Sequence, residues 1–164
     1  MGEPIFRRAT QADLPALVAL LADDALGQGR EDARLPLDAA YLRAFAAIAA
    51  DANQFLMVAE DARGIAGTLQ LSFIPGLSRR GAWRGQIEAV RVASGRRGAG
   101  LGERMIAWAI GACRARGCAL VQLTTDKARA DAHRFYDRLG FRATHEGYKL
   151  GLSPQAGLPP GAMP

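Results

Sequence analysis

The stretch Arg97-Gly98-Ala99-Gly100-Leu101-Gly102 lies between an extended apolar run, Ile87 to Val92, and an amphipathic helical run that begins at Leu101. A glycine-rich turn between a strand and a helix leaves backbone N–H groups bare at the helix N-terminus, where the helix dipole is positive. Side chains would block close approach of a phosphate there, so glycine is the fitting residue. The turn reads as a pyrophosphate cradle, with Arg96 and Arg97 adding formal charge. On spacing alone, a turn of this kind also serves to let a helix pack close to a sheet.

Working outward, Gln86–Val92 predicts a strand before the turn and Ala119–Thr124 one after the helix. A strand–helix–strand unit makes those two strands parallel neighbours. Upstream, Ile5–Arg8 is short and extended. Leu14, Leu17, Val18 and Leu21 then form one apolar helix face, with Thr10 and Asp13 as candidate N-caps and Pro15 in the first turn. Residues 23–36 read as a loop, and Leu37, Tyr41, Phe45 and Ile48 line a second helix. Phe55–Ala59 and Ile65–Phe73 are strands joined by the turn Asp61-Ala62-Arg63-Gly64. Alternation of Leu69, Leu71 and Phe73 with Thr68, Gln70 and Ser72 marks the second of these as half-buried. Pro75–Gly85 is a loop, and Ala128–Leu139 a helix stopped by Gly140. Phe141–Leu150 closes the fold as a bent strand or a hairpin through Gly147. The expected fold class is α/β of the α+β type: a mixed, mostly antiparallel central sheet, a parallel fourth and fifth strand, and helices on both faces.

The 164 residues suit one domain, expected over 1–152, with a Pro/Gly-rich and disordered tail over 153–164. No apolar run approaches the roughly 20 residues that span a bilayer. Met1–Arg8 holds no signal-peptide apolar segment, so the cytoplasm is the expected compartment. Cys113 and Cys118, the only cysteines, suggest neither a disulfide framework nor a metal site, and His133 and His145 show no ligand spacing. The net charge of +5 favours polyanionic ligands. Nucleic acid is not expected, because no basic run with interleaved aromatics and no nucleic-acid motif is present.

Two segments carry a family resemblance. Arg97, Gly100 and Gly102 fill the marked places of an R/Q-x-x-G-x-G/A signature, and Ala132-His133-Arg134-Phe135-Tyr136 leading to Gly140-Phe141 matches A-x-x-F-Y-x-x-x-G-F. With the element order, they make the chain, up to about Leu150, resemble the GNAT superfamily of N-acetyltransferases. The resemblance implies transfer of an acetyl group from acetyl-CoA, as cosubstrate and without a metal, to an amine by direct attack. It implies that the fourth and fifth strands splay apart to admit the pantetheine arm. The main chain of Val90, Arg91 and Val92 would bond its amides, and the N–H groups of Arg97, Gly98, Ala99, Gly100, Leu101 and Gly102 would hold the diphosphate. A parted strand pair leaves donors and acceptors that an amide-bearing ligand can satisfy.

Tyr136 is the candidate acid for the departing thiolate, and Glu88, alternating with Val90 and Val92, the candidate base for the incoming ammonium. Tyr136 also reads as a buried structural tyrosine, and Glu88 as a half-exposed strand residue paired with an arginine. Relatives often carry an Asn where this chain has Arg129, and that role is not carried over. Asp23, Asp24, Glu31 and Asp32 suit a cationic acceptor, whereas Arg79, Arg80 and Arg84 suit an acidic one; the sequence leaves both open. The expected acceptor is a small-molecule primary amine. The alternatives are a protein N-terminus or lysine, an aminoglycoside-like polyamine, or a non-catalytic CoA-binding sensor module. Homodimers are common among similar proteins.

Overall fold

The structure, a computed structural model, describes residues 3–23 and 27–152. Its contacts divide the chain into two units, Met1–Thr124 and Thr125–Pro164. The expected tail over 153–164 lies outside the described residues.

The first unit is built on one sheet in the order β1 (Ile5–Arg8), β2 (Gln54–Asp61), β3 (Gly64–Ile74), β4 (Trp83–Val92) and β5 (Cys118–Leu123). Neighbours are antiparallel except β4 and β5, which run parallel because a crossover helix joins them. The helices of this unit are α1 (Leu14–Ala22), α2 (Ala39–Ala50), the single turn α3 (Ser78–Gly81) and α4 (Leu101–Ala115). In α3, Arg79 and Arg80 take left-handed φ values of 54° and 62°. Strand β4 begins at Trp83, three residues before the expected start, because Trp83 and Arg84 already pair with β5.

Helices cover both faces. On one, Leu14 and Leu17 of α1 cluster with buried Val58, and Phe45 of α2 packs against them. On the other, Trp108 of α4 meets Phe55 at 5.1 Å and Phe6 at 6.3 Å between ring centroids. This corrects the half-buried reading of β3: Leu69 and Leu71 are sealed under one layer, but Thr68 and Ser72 are also buried, under the other. Polar side chains survive there because each finds a partner. Thr68 Oγ1 donates to the Met57 carbonyl at 2.7 Å, and Ser72 Oγ to Gln54 Oε1 at 2.8 Å. Alternation in sequence records polarity, and polarity matches exposure only where no second layer covers the strand.

Helix α4 rides close on β4 at Gly85, where a Cβ would collide with Cys113 Sγ. Cys113 is fully buried, and burial pushes its thiol up to about 12, with Cys118 nearby adding to the rise. Both cysteines are free. At the other end of the unit, Arg7 grips Asp13 through two bonds of 2.7 and 2.9 Å and Glu60 through one of 2.7 Å. Asp13 also accepts the Thr10 N–H at 2.7 Å, closing the turn before α1. The Arg7 hydrogen bond, ahead of the Thr10 contacts, holds the Asp13 carboxyl down at about 2.

The second unit contains α5 (Ala130–Arg138). Asp126 starts it by accepting the Ala128 N–H at 2.9 Å, and the Tyr136 carbonyl ends it by accepting the N–H groups of Leu139 and Phe141, each at 3.1 Å. The expected closing strand over 141–150 is absent: these described residues have no regular structure, and Tyr148 and Leu150 are exposed. A strand is defined by its ladder partner, and local alternation supplies none.

Two outcomes follow from this packing. Gly85→Ala should destabilise the protein by about 1–3 kcal/mol in urea unfolding. Most of the loss should return in Gly85→Ala/Cys113→Ala, and additive effects would refute the contact. Asp13 has its folded pKa depressed, so its contribution is present above about pH 4 and drains away as pH falls toward 2. Asp13→Asn should therefore lower stability at pH 6 and flatten its decline between pH 4 and 2.

Candidate active site

The site grows from a defect in the sheet. Gln70 pairs with Glu88 and Thr68 with Arg91, so two residues of β4, Ala89 and Val90, stand opposite the single Leu69. This is a β-bulge, and it bends the strand that carries it. Ala89 takes φ 51°, a conformation that L-residues with a side chain rarely adopt. Pairing with β5 ends just before the bulge, at Ile87–Leu123. Beyond that point Glu88–Val92 keep β3 on one side and have no β5 residue on the other. The expected parting of the two strands thus begins at the bulge.

Two carbonyls along the parted edge are already in use. Arg91 Nη1 donates to the Val90 carbonyl at 2.9 Å, and Arg97 Nε to that of Val92 at 3.0 Å. A carbonyl oxygen has two lone pairs, so each keeps capacity for a further donor.

The glycine turn follows β4 through the short 3-10 turn Ser94–Arg96. Gly98 and Gly100 have φ values of 79° and 75°, and a Cβ at either would meet no atom within 4 Å. They are needed for the backbone path, and the space beside them is open. The first bond of α4 runs from the Arg104 N–H to the Gly100 carbonyl at 3.2 Å. The N–H groups of Leu101, Gly102 and Glu103 precede it and have no partner within the helix. Amides without helix partners at the positive end of a 15-residue helix, with open space beside Gly98 and Gly100, are suited to a diphosphate.

The arginines beside the turn do not add free charge, contrary to the expectation from sequence. Arg96 Nε binds Asp61 at 2.8 Å, a contact that holds the Asp61 carboxyl near 2. Arg97 Nη2 reaches the Asp23 carbonyl at 2.8 Å and its carboxylate at 3.3 Å, and that carboxylate also accepts the Ser94 N–H at 3.1 Å. Both guanidiniums are structural ties, and the cradle is left to the main chain.

Glu88 shares the sheet face of its partner Gln70, is exposed, and makes no ion pair among the described residues. On that face α1, α2 and the strands enclose a cavity of about 140 Å³, lined by Leu17, Val18, Tyr41, Phe45, Thr68, Gln70 and Ala89 among others. The acidic residues proposed for a cationic acceptor are engaged elsewhere. Glu31 accepts the Tyr41 hydroxyl at 2.9 Å, Asp32 pairs with Arg34, and Asp23 holds the cradle; Asp24 lies outside the described residues. Arg79, Arg80 and Arg84 do not line the cavity. Tyr136 belongs to the second unit, where its half-buried ring stands edge-on to Phe135 at 5.1 Å and Phe141 at 5.9 Å. The bulge at Ala89 and the anchoring by Asp23 were not foreseen from sequence. Neither residue carries a local signature, since each role depends on a partner about 20 or 70 residues away.

No helix among the described residues is long and apolar enough to cross a membrane, and none of their His, Cys, Asp or Glu side chains group as three or more metal ligands.

A parallel strand pair whose ladder stops beside a glycine turn and a helix N-terminus is the arrangement that the sequence resemblance implied. The chain belongs to the acetyltransferase (GNAT) family, whose model matches residues 16–141. It is similar to a transcriptional regulator from Bacillus halodurans C-125, with 48% identity and a TM-score of 0.88 over 91% of this chain and 99% of that one. It is also similar to a Trypanosoma brucei acetyltransferase, with 30% identity and a TM-score of 0.73 over 92% of this chain and all of that one. Among curated proteins it resembles the aminoalkylphosphonate N-acetyltransferase of Salmonella typhimurium, 37% identical over 70 residues. That match spans 43% of this chain and 46% of the relative, a little under half of each.

Removing the Asp23 carboxylate should loosen the turn. In Asp23→Ala, the amides of residues 94–100 should exchange hydrogen faster while those of β3 keep their protection, at about 1 kcal/mol of stability. Unchanged exchange would show that Asp23 is not the anchor.

Proposed function

We propose that the protein transfers an acetyl group from acetyl-CoA to the primary amine of a small molecule by direct attack. The observation that carries this reading is the sequence of features along one strand: the bulge at Ala89, the edge up to Val92 that β5 does not pair, and the amides at Gly98–Gly102. Amide groups along an extended arm match the open edge, and a diphosphate matches the cradle. Acetyl-CoA supplies an acyl group activated as a thioester.

The N–H groups from Arg97 to Gly102 hold the diphosphate end, and the main chain of Val90, Arg91 and Val92 orients the arm. Glu88, exposed and without an ion-pair partner, takes the proton from the incoming ammonium, directly or through water. The amine nitrogen then bonds the acyl carbon, the carbon–sulfur bond breaks, and Tyr136 gives a proton to the departing sulfur; the nitrogen's second proton leaves as the amide forms and restores the Tyr136 phenol through solvent. The role of Tyr136 rests on its place in the A-x-x-F-Y motif. No covalent enzyme intermediate is needed, because holding both reactants together supplies the advantage. The name of the Bacillus relative favours a second reading, a CoA-binding regulatory module without turnover.

Release of free thiol from acetyl-CoA, followed across a panel of amines, separates the two. Amine-dependent release with a matching acetylated product supports transfer; CoA binding without release supports the module. Given turnover, Gly100→Ala should raise KM for acetyl-CoA about tenfold, because a left-handed residue with a Cβ strains the cradle by about 1–2 kcal/mol. Tyr136→Phe should lower kcat at least about tenfold with little change in that KM. Unchanged kcat would remove Tyr136 from the mechanism.

A further inference from the structure

The cavity between α1, α2 and the sheet has no role in holding the acyl donor as proposed above. Its walls are Leu17 and Val18 from α1, Tyr41, Phe45 and Ile48 from α2, and Ala89 from the bulge of β4. Ala89 is itself exposed and stands next to Glu88 on β4. At about 140 Å³ it approaches the volume, about 150 Å³, of an engineered apolar cavity that takes up benzene.

Each polar side chain on its walls already makes a hydrogen bond. Thr68 Oγ1 donates to the Met57 carbonyl, Gln70 Nε2 to Gln54 Oε1 at 2.9 Å, and the Tyr41 hydroxyl to Glu31. Among the described residues, no Asp, Glu, Lys or Arg lines it. A charged group placed there would lose its water without gaining an ion-pair partner among the described residues. An apolar group would lose nothing. Next to Ala89 along the strand stands the Glu88 carboxylate, on the same sheet face as Gln70 and without an ion pair among the described residues.

We propose that the acceptor is a primary amine carrying an apolar arm of about the size of a phenyl or isobutyl group, with the arm in this cavity and the ammonium at Glu88. The inference rests on the acetyl transfer proposed above and narrows its substrate. Among the described residues of the acidic and basic loop sets, none lines the cavity.

The test compares phenethylamine and isoamylamine with ethanolamine and aminomethylphosphonate, using the full chain, acetyl-CoA and thiol release. Filling an apolar pocket discriminates by roughly tenfold or more per methylene. The two apolar amines should therefore exceed the two polar ones in kcat/KM by at least about tenfold. Ala44→Phe, at an exposed position on the cavity wall, should lower kcat/KM for phenethylamine and shrink its advantage over ethanolamine, with an unchanged Tm showing an intact fold. Turnover in which ethanolamine or aminomethylphosphonate matches the apolar amines would overturn this inference and leave acetyl transfer standing. Thiol release with none of the amines would overturn both.

Discussion

Hydrogen bonding between β4 and β5 stops at Ile87–Leu123, and the candidate site of the first unit is arranged around that stop. A parallel pair continues as long as both strands keep their direction. The bulge at Ala89 changes the direction of β4 while β3 still holds its other edge. The strand therefore stays in the sheet and yet offers main-chain groups to something other than a strand. A left-handed residue with a side chain is an unfavourable conformation, of order 1–3 kcal/mol, and it persists because the neighbouring ladders fix it.

Charge at the cradle is arranged with equal economy. Arg96 and Arg97 stand next to the glycine turn, yet Asp61 and Asp23 neutralise them. The ties fasten the turn to the β2–β3 hairpin through Asp61 and to the end of α1 through Asp23. Rigidity is what an amide cradle requires, because its donors act only if they converge. The depressed Asp61 carboxyl keeps its tie intact through mildly acidic conditions.

Much of this was legible in the sequence, for identifiable reasons. Strands, helices and the glycine turn announce themselves through local periodicity and backbone needs, so the run from Ile87 to Leu101 was read in place. The family resemblance, carried by Arg97, Gly100, Gly102 and the segment Ala132–Phe141, agreed with the family match. What escaped depends on distant partners. Burial of Thr68 and Ser72 needs a helix layer on each side. The bulge needs the β3 register. The engagement of Arg97 needs Asp23, 74 residues away. The strand expected over 141–150 failed for the same reason, since alternation cannot name the strand it should pair with.

Helix α2 has no buried residue, although Tyr41, Phe45 and Ile48 form one wall of the cavity. Its apolar side leans on the sheet without being locked into it. Large-to-small changes in a close-packed core are costly, but a wall with solvent behind it has room to adjust. Exchanges along this helix can therefore alter the shape of the cavity while the sheet, the bulge and the glycine turn remain as they are. If the cavity takes the acceptor as proposed, acceptor preference is the property that substitution alters most readily, and donor binding among the most resistant.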